Sequence, residues 1–338
     1  MGNPIVSIVL AAALGFVLTL GLGKLVLVEL RKLKAGQEIR EDGPTWHAAK
    51  AGTPTMGGLM FILGSGITVL ALGLPAMVQG NFVCLFVFLF ALVFGLIGMA
   101  DDARKVLRHQ NEGLTALQKL VLQLAASVAF LTVLRFTDSL TNRLYIPGPG
   151  WEVELPWSLY LFFAAFVIVG CVNSVNLTDG VDGLAGSVTL VVMAFFTACG
   201  VMSEGFFASH GLFPAALMGS LAAFLRYNRH PAQVFMGDTG SLFLGGAVAA
   251  LAFALDMPLI LIPVGLVYIA ETLSDIIQVT YFKYTKRKTG TGKRIFKMAP
   301  LHHHLELSGW SEEKLCRVFS LVTAAGCFLG LLAVAGRR

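Results

Sequence analysis

Apolar residues in this chain run on unbroken for far longer than one buried helix face requires. A helix crossing the hydrocarbon core of a bilayer needs about 20 predominantly apolar residues. Runs of that character fall near 4–28, 56–78, 82–100, 116–135, 157–175, 184–202, 211–226, 240–255, 258–281 and 315–335. The pattern predicts an all-α, polytopic integral membrane protein with about ten transmembrane helices. The runs at 211–226 and 240–255 are short, which predicts tilted or broken segments there. Pro263 is expected to kink the ninth span. With no internal repeat and no low-complexity tract, residues 1–338 read as a single transmembrane domain whose chemistry lies on loops.

Composition agrees with this reading. Of 338 residues, 56% are hydrophobic and only 13% charged, with mean hydropathy +0.76. A soluble surface needs roughly a quarter charged residues or more, so the bilayer must serve as solvent. The net charge of +5 invites a nucleic-acid partner, but the distribution of the charge argues against one. All but four of the 25 lysines and arginines fall on or beside alternate loops: 29–55, 101–115, 176–183, 227–239 and 282–314. The exceptions are Arg135, Arg143, Arg337 and Arg338. Such asymmetry marks the cytoplasmic side and puts both termini on the outer side. The five cysteines show no paired spacing, so neither a disulfide framework nor a zinc site is expected. The amino terminus lacks the charged start and cleavage site of a signal peptide, so the first run is expected to remain as a helix.

The acidic residues of the charged side are few and sit at the ends of spans. Asp101 and Asp102 follow the run LVFGLIGMA, where a helix is expected to meet water. Segment 173–183, NSVNLTDGVDG, spaces Asn173, Asn176, Asp179 and Asp182 by threes. On a helix, that spacing rotates about 60° per step, so the four cannot share a face; the helix is expected to end near Asn176, with Gly180 and Gly183 shaping a loop. Asp238 lies in FMGDTGS, beside Gly237. Hard cations such as Mg²⁺ take carboxylates together with substrate phosphates, and glycine lets backbone N–H groups approach phosphate closely. One aspartate at a helix end is commonly a cap; three acidic clusters on one membrane face call for more than capping.

Other polar features share that side. Lys50 and Thr55, in KAGTPTMGG, are a reasonable anion contact. His302, His303 and His304 are consecutive, so on a helix they point apart and cannot form a metal cage alone; contacts to phosphate or sugar suit them better. Glu271, Asp275 and Gln278 fall on one helix face, either lining a polar cavity or reaching towards the cytoplasmic interface. TGTGK at 289–293 is not a phosphate loop, because Arg287 stands where the first glycine must be and Arg294 where Ser or Thr must be.

MADDARKV, NSVNLTDGVDGLAG, MGDTGSLFLGG and MAPLHHHLELSGW, in that order among the predicted spans, resemble the phospho-N-acetylmuramoyl-pentapeptide transferase family. TPTMGGLMFI and ETLSDIIQV fit as well, and the resemblance runs from about residue 24 to 320. A wider superfamily of polyprenyl-phosphate sugar-1-phosphate transferases shares the aspartate motifs; the His-rich segment points to the muramoyl-pentapeptide branch. The resemblance implies transfer of phospho-MurNAc-pentapeptide from its UDP carrier to undecaprenyl phosphate, giving lipid I and UMP with Mg²⁺ as cofactor. It implies a site facing the cytoplasm in the bacterial cytoplasmic membrane. Partners are then the UDP-sugar peptide, the lipid phosphate and the bilayer, with a second copy of the chain as a candidate.

By the same resemblance, Asp101, Asp102 and Asp238 match the catalytic aspartates, with Asp238 the metal ligand. Lys50, Thr55, Asn176, Asp179 and Asp182 match positions lining the nucleotide and diphosphate site. Phe235 would flank the uracil, with Asn228 and Gln278 near the sugar and uridine. His302, His303 and His304 match a loop that helps close the site, and Lys119, Asn173 and Gly237 complete the expected substrate-binding set. Asp275 departs from the apolar residue of many relatives without touching the core motifs. Two other readings are a UDP-N-acetylhexosamine-1-phosphate transferase and a transporter with coupling-ion sites at Glu271 and Asp275. Transport predicts polar residues near mid-bilayer in several helices, whereas these acids gather at one face.

Overall fold

The computed structural model describes residues 4–33, 50, 52–108, 113–137, 139–146, 149–202 and 211–336. Lys34, Arg40, Arg337 and Arg338, which enter the charge asymmetry, lie outside them. The chain folds into α1 (Pro4–Lys32), α2 (Gly58–Val78), α3 (Val83–Arg108), α4 (Ala116–Phe136), β1 (Arg143–Ile146), β2 (Trp151–Glu154), α5 (Trp157–Thr178) and α6 (Leu184–Met202). There follow α7 (Leu212–Asn228), α8 (Gly237–Ala254), a 3₁₀ turn (Pro258–Ile260), α9 (Leu261–Val264), α10 (Leu266–Thr289), α11 (Leu301–Glu306) and α12 (Glu312–Gly336).

Eight described helices are long and apolar enough to cross a membrane, and a ninth span results if α9 and α10 are joined across their bend. The seventh predicted span is the 17-residue α7. This is a multi-pass membrane protein, and many large apolar side chains on its perimeter, Val78 and Phe162 among them, are exposed. In water such an apolar surface would drive aggregation; in lipid it costs nothing. The kink expected at Pro263 is an 83° bend at the α9–α10 break.

α8 is the buried centre. Its run of Gly, Ala and Ser lets α3 and α5 approach closely, as small residues do where lipid provides no hydrophobic drive between helices. Phe243 of α8 meets Phe61, Phe88 and Phe213 at ring-centroid separations of 6.1, 5.9 and 6.4 Å. The all-α expectation needs one addition, an antiparallel β1–β2 hairpin that pairs Arg143 with Glu154 and Ile146 with Trp151. Its residues, RLYI and WEVE, are too short a pair of runs to stand out beside the spans. Cys84, Cys199 and Cys327 are buried among apolar side chains.

Candidate functional site

α3 does not end where its apolar run meets charge. It continues through Asp101 and Asp102 to Arg108, and both aspartates are buried, at 0% and 2% exposure. Burial is tolerable because the N-terminus of α8 docks on them. Asp102 accepts from the backbone N–H of Asp238 (3.2 Å) and of Thr239 (2.8 Å), and from the Thr239 hydroxyl (2.7 Å). It thus caps α8 from another helix, satisfying donors that the first turn leaves open. Gly237 makes the approach feasible: its φ is +69°, and a Cβ there would lie 2.5 Å from Asp102 Oδ2 and 2.7 Å from Thr55 Oγ1. Gly98 does the same one turn earlier, lying against the carbonyl of Asp238.

Asp101 accepts from the Leu114 N–H (2.6 Å) and pairs with Lys105 (2.6 Å) and Lys119 (3.1 Å). Both lysines also reach Asp238, at 3.5 and 2.6 Å. Asp238 receives in addition the Asn176 amide at 2.9 Å, and Asn176 donates to Ser241 Oγ at 2.8 Å. Oxygens of Asp101, Asp102 and Asp238 lie within 4.8 Å of one another. Three carboxylates against two ammonium groups leave an excess negative charge, and an all-oxygen donor set suits a hard divalent cation. Of the three, only Asp238 is open, with 17% of its side chain exposed.

A second cluster unites residues from four parts of the chain. Lys50 pairs with Asp182 (2.7 Å) and Glu312 (2.8 Å). Asp182 also accepts from the Ala232 N–H (3.0 Å), and its own N–H donates to Glu312 (3.0 Å). His230 Nδ1 lies 3.3 Å from both acids. Lys50, expected as a free anion contact, is therefore held between two carboxylates.

Between the clusters, Asp179 caps the end of α5. Its removal from water, then the negative charges of Asp238, Asp102 and Asp182, push its carboxyl well above the usual range. The α5 helix ends at Thr178, one half-turn past the expected stop. His302 is buried with Nδ1 2.9 Å from Glu271, while its Nε2 packs against Gly180 and has no hydrogen-bond partner among the described residues. The i, i+4, i+7 face thus divides: Glu271 holds His302, Asp275 is half-buried, and Gln278 serves the backbone.

Several expected substrate contacts are occupied by the protein itself. Gln278 accepts from the N–H groups of Ile295 and Phe296 and donates to the Phe296 carbonyl, so it shapes the segment leading to the histidines. Asn228 donates to the Val234 carbonyl (2.9 Å). Asn173 turns away from Asn176, donating to Gln123 Oε1 and the Val169 carbonyl. His303 faces Glu306 at 2.8 Å, and His304 Nδ1 accepts from the Lys297 N–H. Phe235 is half-buried, its backbone paired with Pro54 and Gly57. Lys105, Thr239, Ser241, His230 and Glu312 escaped the sequence reading. The i, i+4 spacing of Asp101 and Lys105 was a signal for the first; nothing local marks the others.

The profile of Glycosyl transferase family 4 matches residues 84–256, and a phospho-N-acetylmuramoyl-pentapeptide-transferase signature matches residues 50–62. A Clostridium botulinum phospho-N-acetylmuramoyl-pentapeptide-transferase is 45% identical over 336 residues, 98% of this chain and 97% of its own. The Thermoanaerobacter sp. strain X514 relative of the same name is 46% identical over 330 residues, covering 97% and 99%. The Clostridium acetobutylicum one is 44% identical over 329 residues, again 97% and 99%. At such identity over nearly the whole chain, the protein belongs to the phospho-N-acetylmuramoyl-pentapeptide-transferase family.

Proposed function

We propose that this enzyme transfers phospho-MurNAc-pentapeptide from UDP-MurNAc-pentapeptide to undecaprenyl phosphate, yielding lipid I and UMP. The whole chain forms one catalytic domain in the bacterial cytoplasmic membrane, with the site on the cytoplasmic face and both termini outside. The observation that carries the reading is the cluster of Asp101, Asp102 and Asp238 braced by Lys105 and Lys119, in which only Asp238 is open. Asp238, with Asp101 and Asp102 behind it, would hold Mg²⁺. When bound, the ion would neutralise charge on the diphosphate.

The chain's own groups divide the remaining work. A phosphate monoester loses its second proton near pH 6, so the lipid phosphate is largely ionised at neutral pH and has little need of a general base. Positioning and charge neutralisation then dominate, and Lys105 and Lys119 supply the positive charge. Asp101 fixes both lysines, and Asp102 fixes the backbone of Asp238. With every oxygen engaged and almost no exposure, neither is disposed to attack phosphorus as a nucleophile. This favours direct attack of the lipid phosphate on the β-phosphate, with UMP leaving, over an aspartyl-phosphate route.

Around Asp182, Lys50, Glu312 and His230, the acids outweigh the lysine. That end of the site suits the neutral, donor-bearing nucleobase or ribose, with Phe235 as its flank, better than phosphate; Thr55 and Gly237 lie against Asp102, at the diphosphate end. Asp179 and Asn176 bridge to the diphosphate, and the His302–His304 turn closes over it. Asn173, Asn228 and Gln278 act by shaping the walls.

The test is UMP release by the purified protein with undecaprenyl phosphate, with and without Mg²⁺. Release is expected only with the metal, and with UDP-MurNAc-pentapeptide rather than UDP-GlcNAc. Preference for UDP-GlcNAc would move the chain to the hexosamine-phosphate reading, and a sugar-phosphoryl enzyme formed without lipid would overturn direct displacement.

A further inference from the structure

The last helix begins on an acid that the reaction does not consume. Glutamates in a first helical turn usually stay in water, where they offset the helix dipole. Glu313 does so, with 65% of its side chain exposed and Arg317 beside it. Glu312, its neighbour, is turned inward and only 9% exposed. Burying a carboxylate is costly unless its oxygens are paired. Here they meet the Lys50 ammonium at 2.8 Å, the Asp182 N–H at 3.0 Å and His230 Nδ1 at 3.3 Å.

A strut joining α12 to the bundle would need only one of these contacts. Glu312 instead holds the side chain of Lys50 and the main chain of Asp182, whose carboxylate is the other acceptor of the same ammonium. A lysine ammonium has three donors. With two taken by acids on separate elements, its position is set, and the third N–H has no partner among the described residues. With one acceptor lost, the long side chain would pivot on Asp182 alone, and the Asp182 N–H would lose its partner.

We infer that Glu312 is a positioning residue for nucleotide binding: it acts through Lys50 and Asp182, orienting both toward the UDP portion of the donor. This rests on the assignment of those two residues to the nucleotide. It adds a contribution from α12, which lies beyond the matched family segments.

The experiment compares E312Q, K50M and the double variant, reading KM for UDP-MurNAc-pentapeptide and for undecaprenyl phosphate separately, with the thermal midpoint as a check on folding. E312Q keeps the size of the side chain and an acceptor for the Asp182 N–H while removing the charge that holds Lys50. It is expected to raise the nucleotide-substrate KM about tenfold, the scale of one lost charge-assisted contact. KM for the lipid and kcat should stay within about twofold. The double variant should be no worse than K50M, because one residue acts through the other. E312D should recover part of the loss. A parental nucleotide KM in E312Q, or equal rises in both KM values, would overturn the inference. If K50M itself leaves the nucleotide KM unchanged, the nucleotide assignment of Lys50 has failed instead.

Discussion

The two acidic clusters of this protein contain nearly the same chemistry and engage it differently. Around Asp238, three carboxylates share two lysines; around Asp182, two carboxylates share one lysine and a histidine. In the second, Lys50 already fills the space between the acids, and the remaining acceptors are taken by the N–H groups of Ala232 and Asp182. In the first, burial and capping use up Asp101 and Asp102 but leave Asp238 open. Acid count therefore does not distinguish the proposed metal-and-phosphate centre from the proposed recognition scaffold. The distinction lies in which carboxylate the fold leaves exposed.

The largest break in this comparison should come from Asp238→Asn. Activity is expected to fall at least about a thousandfold, as when a group facing developing charge is removed, while the thermal midpoint holds because Asn176 keeps an oxygen acceptor. Substantial residual turnover would dissolve the distinction between the clusters. Asp102→Ala should act first on the fold. It leaves the Thr239 hydroxyl and two backbone N–H groups of α8 without their acceptor, at a cost of about 1–3 kcal/mol. A thermal midpoint equal to the parent's would show that α8 does not depend on this cap.

The smallest effect should appear at Asp179, which lies between the two clusters. Its folded carboxyl titrates well above the usual value, so the folded chain holds that proton more tightly than the unfolded one. Stability is then lost as pH rises from about 4 towards the raised value, and the full penalty applies above it. Asp179→Asn cannot ionise and escapes this penalty. In metal-free protein, its melting advantage should be near zero at about pH 4 and grow as the pH rises. An advantage constant across pH would mean that ionisation is not responsible.

Much of this protein can be read in order along the chain. Apolar runs placed eight or nine of the ten expected spans among the described residues, because a helix in hydrocarbon must satisfy its own backbone and present mostly apolar side chains. Asp101, Asp102, Asp179, Asp182 and Asp238 stood out because acids on that side are few and gather where spans end. Lys50, Thr55 and the three histidines stood out on the same side. The β1–β2 hairpin and the 83° bend did not stand out, since short polar strands carry little periodic signal and a proline marks a kink without giving its angle.

What depended on tertiary structure was the division of labour among residues that look alike in sequence. Asp101 and Asp102 are adjacent, yet one holds lysines and the other caps a helix more than a hundred positions away. Gln278 and Asn228 are polar groups near a site, yet the protein's own backbone occupies their amides. Glu312 and Glu313 are neighbours pointing to opposite environments. Solvation and hydrophobicity are properties of each residue and its near neighbours, so the sequence by itself determined the membrane class, most of the spans and the acids worth watching. Hydrogen-bond engagement depends on which distant segment arrives at 3 Å, and only the packing of α3, α5, α8 and α12 decided that.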